Sequence, residues 1–213
     1  WEGGAKYVDF RSVMWDSNKG LMVAGGDNFA GGIVPGDGTV AIFTSVDGTF
    51  WEAKSSAGFA VNECSAVFTN LVAVGNTDTQ TTPMNVLVST DGMIWDQTPS
   101  AGPMIQWRAV SEQSTGGQIN AVGHEAAMST TDGITWTESI DVPIGSWWSV
   151  CYSPALDMFL ACGVDYGTNR GRIMCSKPDP TIAEVPDVFA WFAVKDGLKG
   201  LSAADAAKYT WTS

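Results

Sequence analysis

A seven-residue pattern, Ser/Thr-x-Asp-Gly-x-x-Trp, occurs three times in this chain, as SVDGTFW, STDGMIW and TTDGITW. Its tryptophans lie at positions 51, 95 and 136, so the copies are 44 and 41 residues apart. A period in this range is typical of stacked or radially arranged structural units. A catalytic site does not need three equivalent copies of one loop. The pattern therefore predicts a structural turn, formed by Ser45, Asp47, Gly48, Trp51, Ser89, Asp91, Gly92, Trp95, Thr130, Asp132, Gly133 and Trp136.

The same order of short β-rich segments surrounds each copy of the turn. An aromatic-led segment comes first, as in FRSVMW and WRAVS. An apolar segment that ends in glycine comes second, as in LVAVG and INAVG, and a third segment leads into the turn. Each segment has the length and the β-branched or aromatic content of a strand. Four antiparallel strands repeated at this spacing are the sequence signature of a propeller blade.

The predicted fold is an all-β propeller of four to five four-stranded blades. Residues 1–184 are predicted to form the blades that begin near residues 10, 62, 107 and 147. Residues 185–213 are predicted to form a closing or partial fifth blade, with FAWFAV as its inner strand. Within this segment LSAADAAKY has the capping pattern of a short helix.

Composition narrows the range of partners. The net charge is -12 with a single histidine, which argues against nucleic acid because binding to phosphates needs a basic face. No run of about 18 apolar residues occurs, so no membrane insertion is expected. The four cysteines form no CxxC pair, and the Asp-rich loops lack the spacing of calcium ligands in an EF-hand. We therefore predict neither a metal nor a cofactor.

Three cysteines lie in the last predicted blade. Cys151 and Cys162 are spaced around their turn as Ser111 and Val122 are spaced around Gly116-Gly117, and Cys175 follows on the next strand. This spacing predicts a row of three thiols across three strands. Free buried thiols are favoured at interior strand positions, although a bridge between one pair stays open.

The turn pattern resembles the Asp-box, or bacterial neuraminidase repeat. Together with the AVG segments it is similar to the propellers of photosystem II assembly factor-like proteins and of bacteriophage tail and receptor-binding proteins. The resemblance covers roughly residues 1–180. It implies a fold rather than a function, because such repeats occur in sialidases, lectin-like binders, assembly factors and virion proteins alike.

No catalytic residues are predicted. The resemblance to sialidases would imply three arginines for the substrate carboxylate, but Arg11 and Arg108 occupy equivalent repeat positions and Arg170 and Arg172 share one loop. His124 has no Ser or Cys motif nearby, which argues against a catalytic triad. A glycosidase stays an alternative, because two carboxylates about 5 to 10 Å apart are sufficient for that chemistry.

Recognition is expected on the face that carries the loops between second and third strands. The longest of these loops are predicted at 27–39, 76–83 and 165–172. Long polar loops on a rigid scaffold are common binding sites. The candidate ligand-binding residues are Phe29, Asp78, His124, Trp148, Tyr166 and Arg170.

The predicted function is a non-enzymatic recognition or structural module. Its leading version is a virion-associated protein, such as a phage tail, fibre or capsid-decoration protein, that docks on other structural proteins or on a surface glycan. A secreted, lectin-like carbohydrate-binding propeller and a sialidase-like glycosidase are the alternatives, followed by an assembly factor of photosynthetic membranes. The expected location is a virion surface or the extracellular space.

Overall fold

The computed structural model describes residues 8–28, 40–56, 60–76, 86–98, 106–113, 117–167, 169–178 and 189–193. In these ranges all regular structure is β, in four antiparallel four-stranded sheets, and the strands of each sheet follow chain order. The fold is therefore propeller-like and all-β. Within the same ranges there is no helix long and apolar enough to cross a membrane.

The sheets divide the chain into four consecutive parts. The first contains β1 (Val8–Asp16), β2 (Leu21–Asn28), β3 (Val40–Ser45) and β4 (Glu52–Ser56). The second contains β5 (Ala60–Val67), β6 (Asn70–Asn76), β7 (Val86–Ser89) and β8 (Asp96–Gln97). The third contains β9 (Trp107–Glu112), β10 (Ile119–Gly123), β11 (Ala127–Thr130) and β12 (Thr137–Glu138). The fourth contains β13 (Ser146–Ser153), β14 (Met158–Asp165), β15 (Arg170–Pro178) and β16 (Phe189–Ala193).

Successive sheets pack face to face through three separate apolar clusters. Leu21, Val23 and Ile42 of the first sheet contact Leu71 and other residues of the second. A second cluster joins the second and third sheets, and a third joins the third and fourth sheets around the fully buried Trp147. Each cluster places apolar side chains of one face against the next sheet, as strand alternation allows.

Hydrogen bonds from side chains to nearby backbone hold each Asp-Gly turn. In the copy at Ser89, the N–H of Gly92 donates to the Ser89 hydroxyl at 2.8 Å. The next two backbone N–H groups donate to the Asp91 carboxylate at 2.7 and 3.1 Å, and the Trp95 indole N–H donates to the Gly92 carbonyl at 3.1 Å. The glycine has φ of 78°, which L side chains rarely adopt. The other two copies make the same set of contacts.

The turn tryptophans also take part in the packing between sheets. Trp95 is buried in the cluster between the first and second sheets, and Trp136 is buried in the cluster between the second and third. Trp51 is only half-buried in the first sheet. The last strands of the second and third sheets thus start from a ring that is anchored both by its turn and by the neighbouring sheet.

Each of the four first strands contains a β-bulge at the same place. One residue of each first strand has no register partner on the second strand. In β1 this residue lies between Phe10 and Ser12, and β5, β9 and β13 have such a residue at the equivalent point. A bulge leaves its extra residue unpaired and re-aims that side chain. The residues at the four skips are Arg11, Asn62, Arg108 and Trp148, which we call the bulge residues.

The bulges explain why the second segment of each unit ends in glycine. The residue before each bulge lies opposite a glycine of the second strand. A Cβ on Gly163 would lie 2.1 Å from the Ser146 carbonyl oxygen, and one on Gly123 would lie 2.2 Å from that of Gln106. Because these are backbone atoms, the bulged strand can approach this closely only where the partner has no side chain.

Two predictions about the fourth sheet are wrong. β16 pairs with β15 as the outer strand of this sheet, so FAWFAV does not begin a fifth blade. The connection between β14 and β15 spans only 166–169, because the strands extend to Asp165 and start again at Arg170. The division at residue 184 stays a prediction. The predicted helix near Ser202 lies outside the described residues.

The predicted row of cysteines is also wrong. Cys151 and Cys175 both lie opposite Leu160, and Cys162 is two residues further along β14. None of the four cysteines forms a disulfide, and Cys151 and Cys162 are exposed rather than buried. The predicted centre of each hairpin was one residue too late, which shifts the register by two. The same error affected the predicted Ser111–Val122 pair.

Candidate binding site at the bulge end

The four sheets have two chemically different ends. The first strand of each sheet begins at one end and the Asp-Gly turns lie at the other. We call the first the bulge end, because the bulge residues lie there, and the second the turn end. The connections between second and third strands also lie at the bulge end.

Side chains of neighbouring bulges are linked in a chain across the sheets. The Arg11 guanidinium donates to the Asn62 side-chain oxygen at 2.6 Å. The Asn62 amide in turn donates to the Trp107 carbonyl at 2.6 Å, directly before the bulge of the third sheet. Asn62 thereby holds Arg11 beside the strand that carries Arg108.

Arg108 stacks on the next bulge residue. Its guanidinium carbon lies 3.8 Å from the ring centroid of Trp148, within the range of a cation–π interaction. Burial lowers the pKa of Arg108; Tyr166 partly offsets this, and the positive charge of Arg11 lowers it further. In the part of the chain that the structure describes, Arg108 pairs with no carboxylate, and its buried Nε has no hydrogen-bond partner.

Aromatic side chains stand beside Arg108. Trp148 is 52% exposed and Tyr166 is 45% exposed. The rings of Tyr166 and His124 lie 5.3 Å apart. The backbone N–H of His124 donates to the Gln106 carbonyl at 3.2 Å, which fixes the short β10–β11 connection next to the start of β9. These contacts bring together side chains from the third and fourth sheets.

Polar contacts below the bulges tie the first strands to one another. The Ser12 hydroxyl accepts from the Cys64 N–H at 3.1 Å, and the Glu63 carboxylate accepts from the Val110 N–H at 2.8 Å. Burial raises the pKa of the Glu63 carboxyl, and the Val110 bond only partly offsets it. Burial also raises the pKa of the Cys64 thiol to about 12, with a further contribution from Glu63. Cys64 is therefore an inert structural thiol at neutral pH.

The two ends differ in charge. All four arginines of the chain, at 11, 108, 170 and 172, lie at the bulge end, although six acidic residues lie there too: Asp9, Asp27, Glu63, Glu125, Asp141 and Asp165. Arg172 is paired with the buried Asp165 at 2.6 Å. The described acidic residues of the turn end are Asp16, Asp47, Glu52, Asp91, Asp96, Glu112, Asp132, Glu138 and Asp157.

Three of the predicted site residues lie in this arrangement. Trp148, Tyr166 and His124 are brought together with Arg108. Arg170 lies at the same end, exposed and opposite Asp165 in the register. The other two candidates, Phe29 and Asp78, lie outside the described residues.

Sequence reasoning passed over Arg11, Asn62 and Arg108. Arg11 and Arg108 were recognised as equivalent repeat positions and were for that reason set aside. The sequence contained a signal for these residues. In each unit a polar or aromatic residue directly follows a bulky residue of the first strand, and the second strand of the same unit ends in glycine.

Two of the described carboxylates near the bulge residues have structural partners. Glu63 accepts from backbone, and Asp165 accepts from the N–H of Gly167 at 2.7 Å while it pairs with Arg172. Within the described ranges, no group of three or more His, Cys, Asp or Glu side chains could hold a metal ion. The arrangement is suited to binding through guanidinium and aromatic groups.

Comparison with known proteins supports the fold alone. No family model and no curated protein matches the chain. The extracellular domain of a putative hybrid two-component system from B. thetaiotaomicron matches with a TM-score of 0.57 and 14% identity, over 89% of this chain and 22% of that chain. A nidogen/laminin complex matches with a TM-score of 0.43 and 12% identity, over 78% of this chain and 74% of that chain. The chain thus spans about a fifth of the first of these structures.

Proposed function

We propose that this chain is a non-enzymatic recognition module, an Asp-box propeller displayed outside the cell or on a virion, which docks on another protein or a surface glycan. The bulge end is its binding surface. The observation that carries the proposal is that four equivalent positions do not hold one shared residue, as a structural motif would, but two arginines, an asparagine and a tryptophan: Arg11, Asn62, Arg108 and Trp148.

Exposure and charge support this choice of surface. Trp148 and Tyr166 leave about half of their surface open to solvent beside Arg108. Aromatic residues and arginine are the side chains enriched where proteins bind partners. The similar solved structure is an extracellular domain, which is consistent with display outside the cell.

A glycosidase is the less favoured alternative. It needs an acid and a second carboxylate that both face the substrate. Glu63 and Asp165 already serve the backbone and Arg172. A fluorogenic glycoside assay tests this alternative: turnover that disappears on replacing Glu63 or Asp165 with the amide, in a folded variant, would favour the enzyme over the binding module.

The proposal is tested by surface binding of the labelled full chain to a glycan array and to purified virions. We expect saturable binding that Trp148→Ala and Arg108→Gln both weaken. Ile94→Ser is the control, because Ile94 is an exposed apolar residue at the turn end. Loss of binding in the control, with retention in both bulge variants, would show that the binding surface lies at the turn end and would contradict the proposal.

A second experiment separates the virion version from the secreted, lectin-like version. A virion protein should be found on the particle in fixed copy number and bury more than about 1,000 Å² against neighbouring chains. A secreted lectin should bind glycans as a free chain. Electron microscopy of the particle decides between them.

A further inference from the structure

We propose that copies of this chain associate through their terminal sheets. The face of the fourth sheet that points away from the third packs on the face of another copy's first sheet that points away from its second. This interface goes beyond the recognition function, because it uses the flat faces of the two terminal sheets rather than the bulge end.

Inside the chain, each inner sheet packs one face on the sheet before it and the other face on the sheet after it. In β6 of the second sheet, Leu71 and Ala73 lie in the cluster shared with the first sheet. Val72 and Val74 lie in the cluster shared with the third sheet. This alternation follows from the two-residue period of a strand. We call the two sides the preceding face and the following face of a sheet.

The following face of the fourth sheet is apolar but exposed. Cys162 in β14 directly precedes the glycine that pairs with the residue before the bulge, as Val74 does in β6. Val74 is fully buried against the third sheet, whereas Cys162 is exposed. Its cross-strand partner Ile173 is 50% exposed, whereas Val86, the partner of Val74, is 3% exposed. Cysteine and isoleucine are among the residues most often buried, so this face has the composition of an interior.

The preceding face of the first sheet is exposed at a position that is buried in the other sheets. Phe10 is the residue before the bulge of β1 and is 40% exposed. Its equivalents are at most 2% exposed, and each lies in the cluster shared with the preceding sheet: Val61, Trp107 and Trp147. Within the described residues, no sheet covers this position of the first sheet.

Other residues of the first sheet show the same exposure. Val13 and Trp15 alternate with Met14, which packs toward the second sheet, so they lie on the preceding face. They are 68% and 54% exposed. The turn residue Trp51 is only half-buried, whereas its equivalent Trp95 is buried in the cluster shared with the preceding sheet. Exposed apolar side chains grouped on one face mark an interaction surface.

A second copy supplies the face that each of these two surfaces lacks. The three clusters each join the following face of one sheet to the preceding face of the next. Within the described strands, the first and fourth sheets share no such cluster. Their two outward faces are therefore the two halves of one further contact of the same kind. The residues named on both faces are uncharged, as is typical of the core of an interface.

Two copies are expected in the assembly. The contact is head-to-tail, because it joins different faces of the two partners, and such contacts are completed only when a ring closes. Two copies with four sheets each bring eight sheets together, at the upper end of the range of about four to eight blades in propellers. We therefore expect a dimer in which both contacts are formed.

The test is analytical ultracentrifugation of the full chain over a range of concentrations. We expect the wild type to dimerise, and Ile173→Asp and Val13→Asp each to weaken the dimer at least about tenfold, because each places a carboxylate in an apolar contact. Ile94→Asp is the control, since Ile94 lies at the turn end and is as exposed as Val13, at 68%. Circular dichroism confirms that each variant is folded. A wild type that stays monomeric, or an equal loss in the control, would overturn the proposal.

A mixture of the two variants tests which faces meet. The following face is intact in Val13→Asp and the preceding face is intact in Ile173→Asp, so the mixture can form one unaltered contact. We expect mixing to restore association that neither variant shows alone at the same concentration. Normal association of Val13→Asp alone would show that two fourth sheets meet, and would contradict the proposed contact.

Thiol labelling of the wild type checks the same contact without a substitution. Cys151 pairs with Leu160, two residues before Cys162, so both thiols lie on the following face. We expect both to react with N-ethylmaleimide in dilute solution and to be protected where the dimer forms, while the buried Cys64 stays unlabelled. Labelling that does not change with concentration would overturn the proposal, whether both thiols are always open or always covered by another part of the same chain.

Discussion

At the turn end, the copies at Asp47, Asp91 and Asp132 make the same hydrogen bonds with nearly the same residues. At the bulge end, the four equivalent positions share a backbone irregularity but hold two arginines, an asparagine and a tryptophan. Repetition at the turn end reflects a requirement that every sheet has. Divergence at the bulge end is allowed because the bulge requires a glycine opposite the residue before it and does not require one particular side chain on the bulge residue itself.

The comparison predicts that changes to the shared backbone of the bulge affect stability most. Gly163→Ala should lower the free energy of unfolding by about 3 kcal/mol, since its Cβ would meet the Ser146 carbonyl oxygen at 2.1 Å. Gly171→Ala in the neighbouring strand is the control, because a Cβ there meets nothing within 4 Å. Chemical denaturation measures both. Similar losses in the two variants would show that the close approach is not what requires glycine.

Changes to the turn should affect stability next and leave binding alone. The double change Asp91→Ala and Gly92→Ala removes two backbone hydrogen bonds and puts a side chain at φ of 78°. We expect the melting temperature to fall by roughly 5 to 8 °C. Scanning calorimetry measures this change. An unchanged melting temperature with lost ligand binding would reverse the roles of the two ends.

The two ends should also respond oppositely to pH. The pKa of Glu63 is raised by burial, so its contribution to stability is present below its ordinary value of 4.5 and is lost as pH rises through the folded value. Glu63→Gln should therefore gain stability relative to the wild type as pH rises from about 4 to 7. Urea midpoints at both pH values measure it. A constant difference between the two proteins would contradict the prediction.

Asp132 at the turn end provides the opposite case. Burial alone would raise its pKa, but the backbone N–H groups of Thr135 and Ile134 lower it overall. Its contribution is present above the ordinary value of 3.8 and is lost as pH falls through the folded value. Asp132→Asn should flatten the loss of stability on acidification. The same urea titration, extended to lower pH, measures this effect.

The smallest effect on stability is expected at a bulge side chain. Trp148→Ala removes a half-exposed ring and one stacking contact, so the free energy of unfolding should fall by no more than about 1 kcal/mol. Binding at the bulge end should be lost in the same variant. A large loss of stability would assign Trp148 to the framework, as Trp147 is.

The repeat made most of the fold predictable. Strand order and the turn contacts followed from residues that recur at a fixed period, and the first strands begin within two residues of the predicted positions. The register of the hairpins was predicted wrongly, because a one-residue error in the position of a turn's centre changes the cross-strand partner of each residue by two positions. The role of FAWFAV was missed because no Asp-Gly turn precedes it in the fourth sheet.

The candidate site was predictable only in part. Trp148 was identified because no other unit has an aromatic residue at its position. Arg11 and Arg108 were not predicted as site residues, because their equivalent positions in the repeat were taken to indicate a structural role. A bulge is a property of two paired strands, so one strand read alone does not show which residue is extra. The linked side chains of Arg11 and Asn62, 51 residues apart, depend on that register.

The indole N–H resonances of the protein compare the two ends most directly, in an NMR titration with the glycan that binds most strongly on the array. Trp95 and Trp136 donate to glycine carbonyls in the turns, while Trp148 is half-exposed among the bulge residues. Trp148→Phe identifies its signal. We predict that the Trp148 signal moves with added ligand and that the Trp95 and Trp136 signals stay in place. Movement of the turn signals with a static Trp148 signal, or no movement at all, would contradict recognition of this ligand at the bulge end.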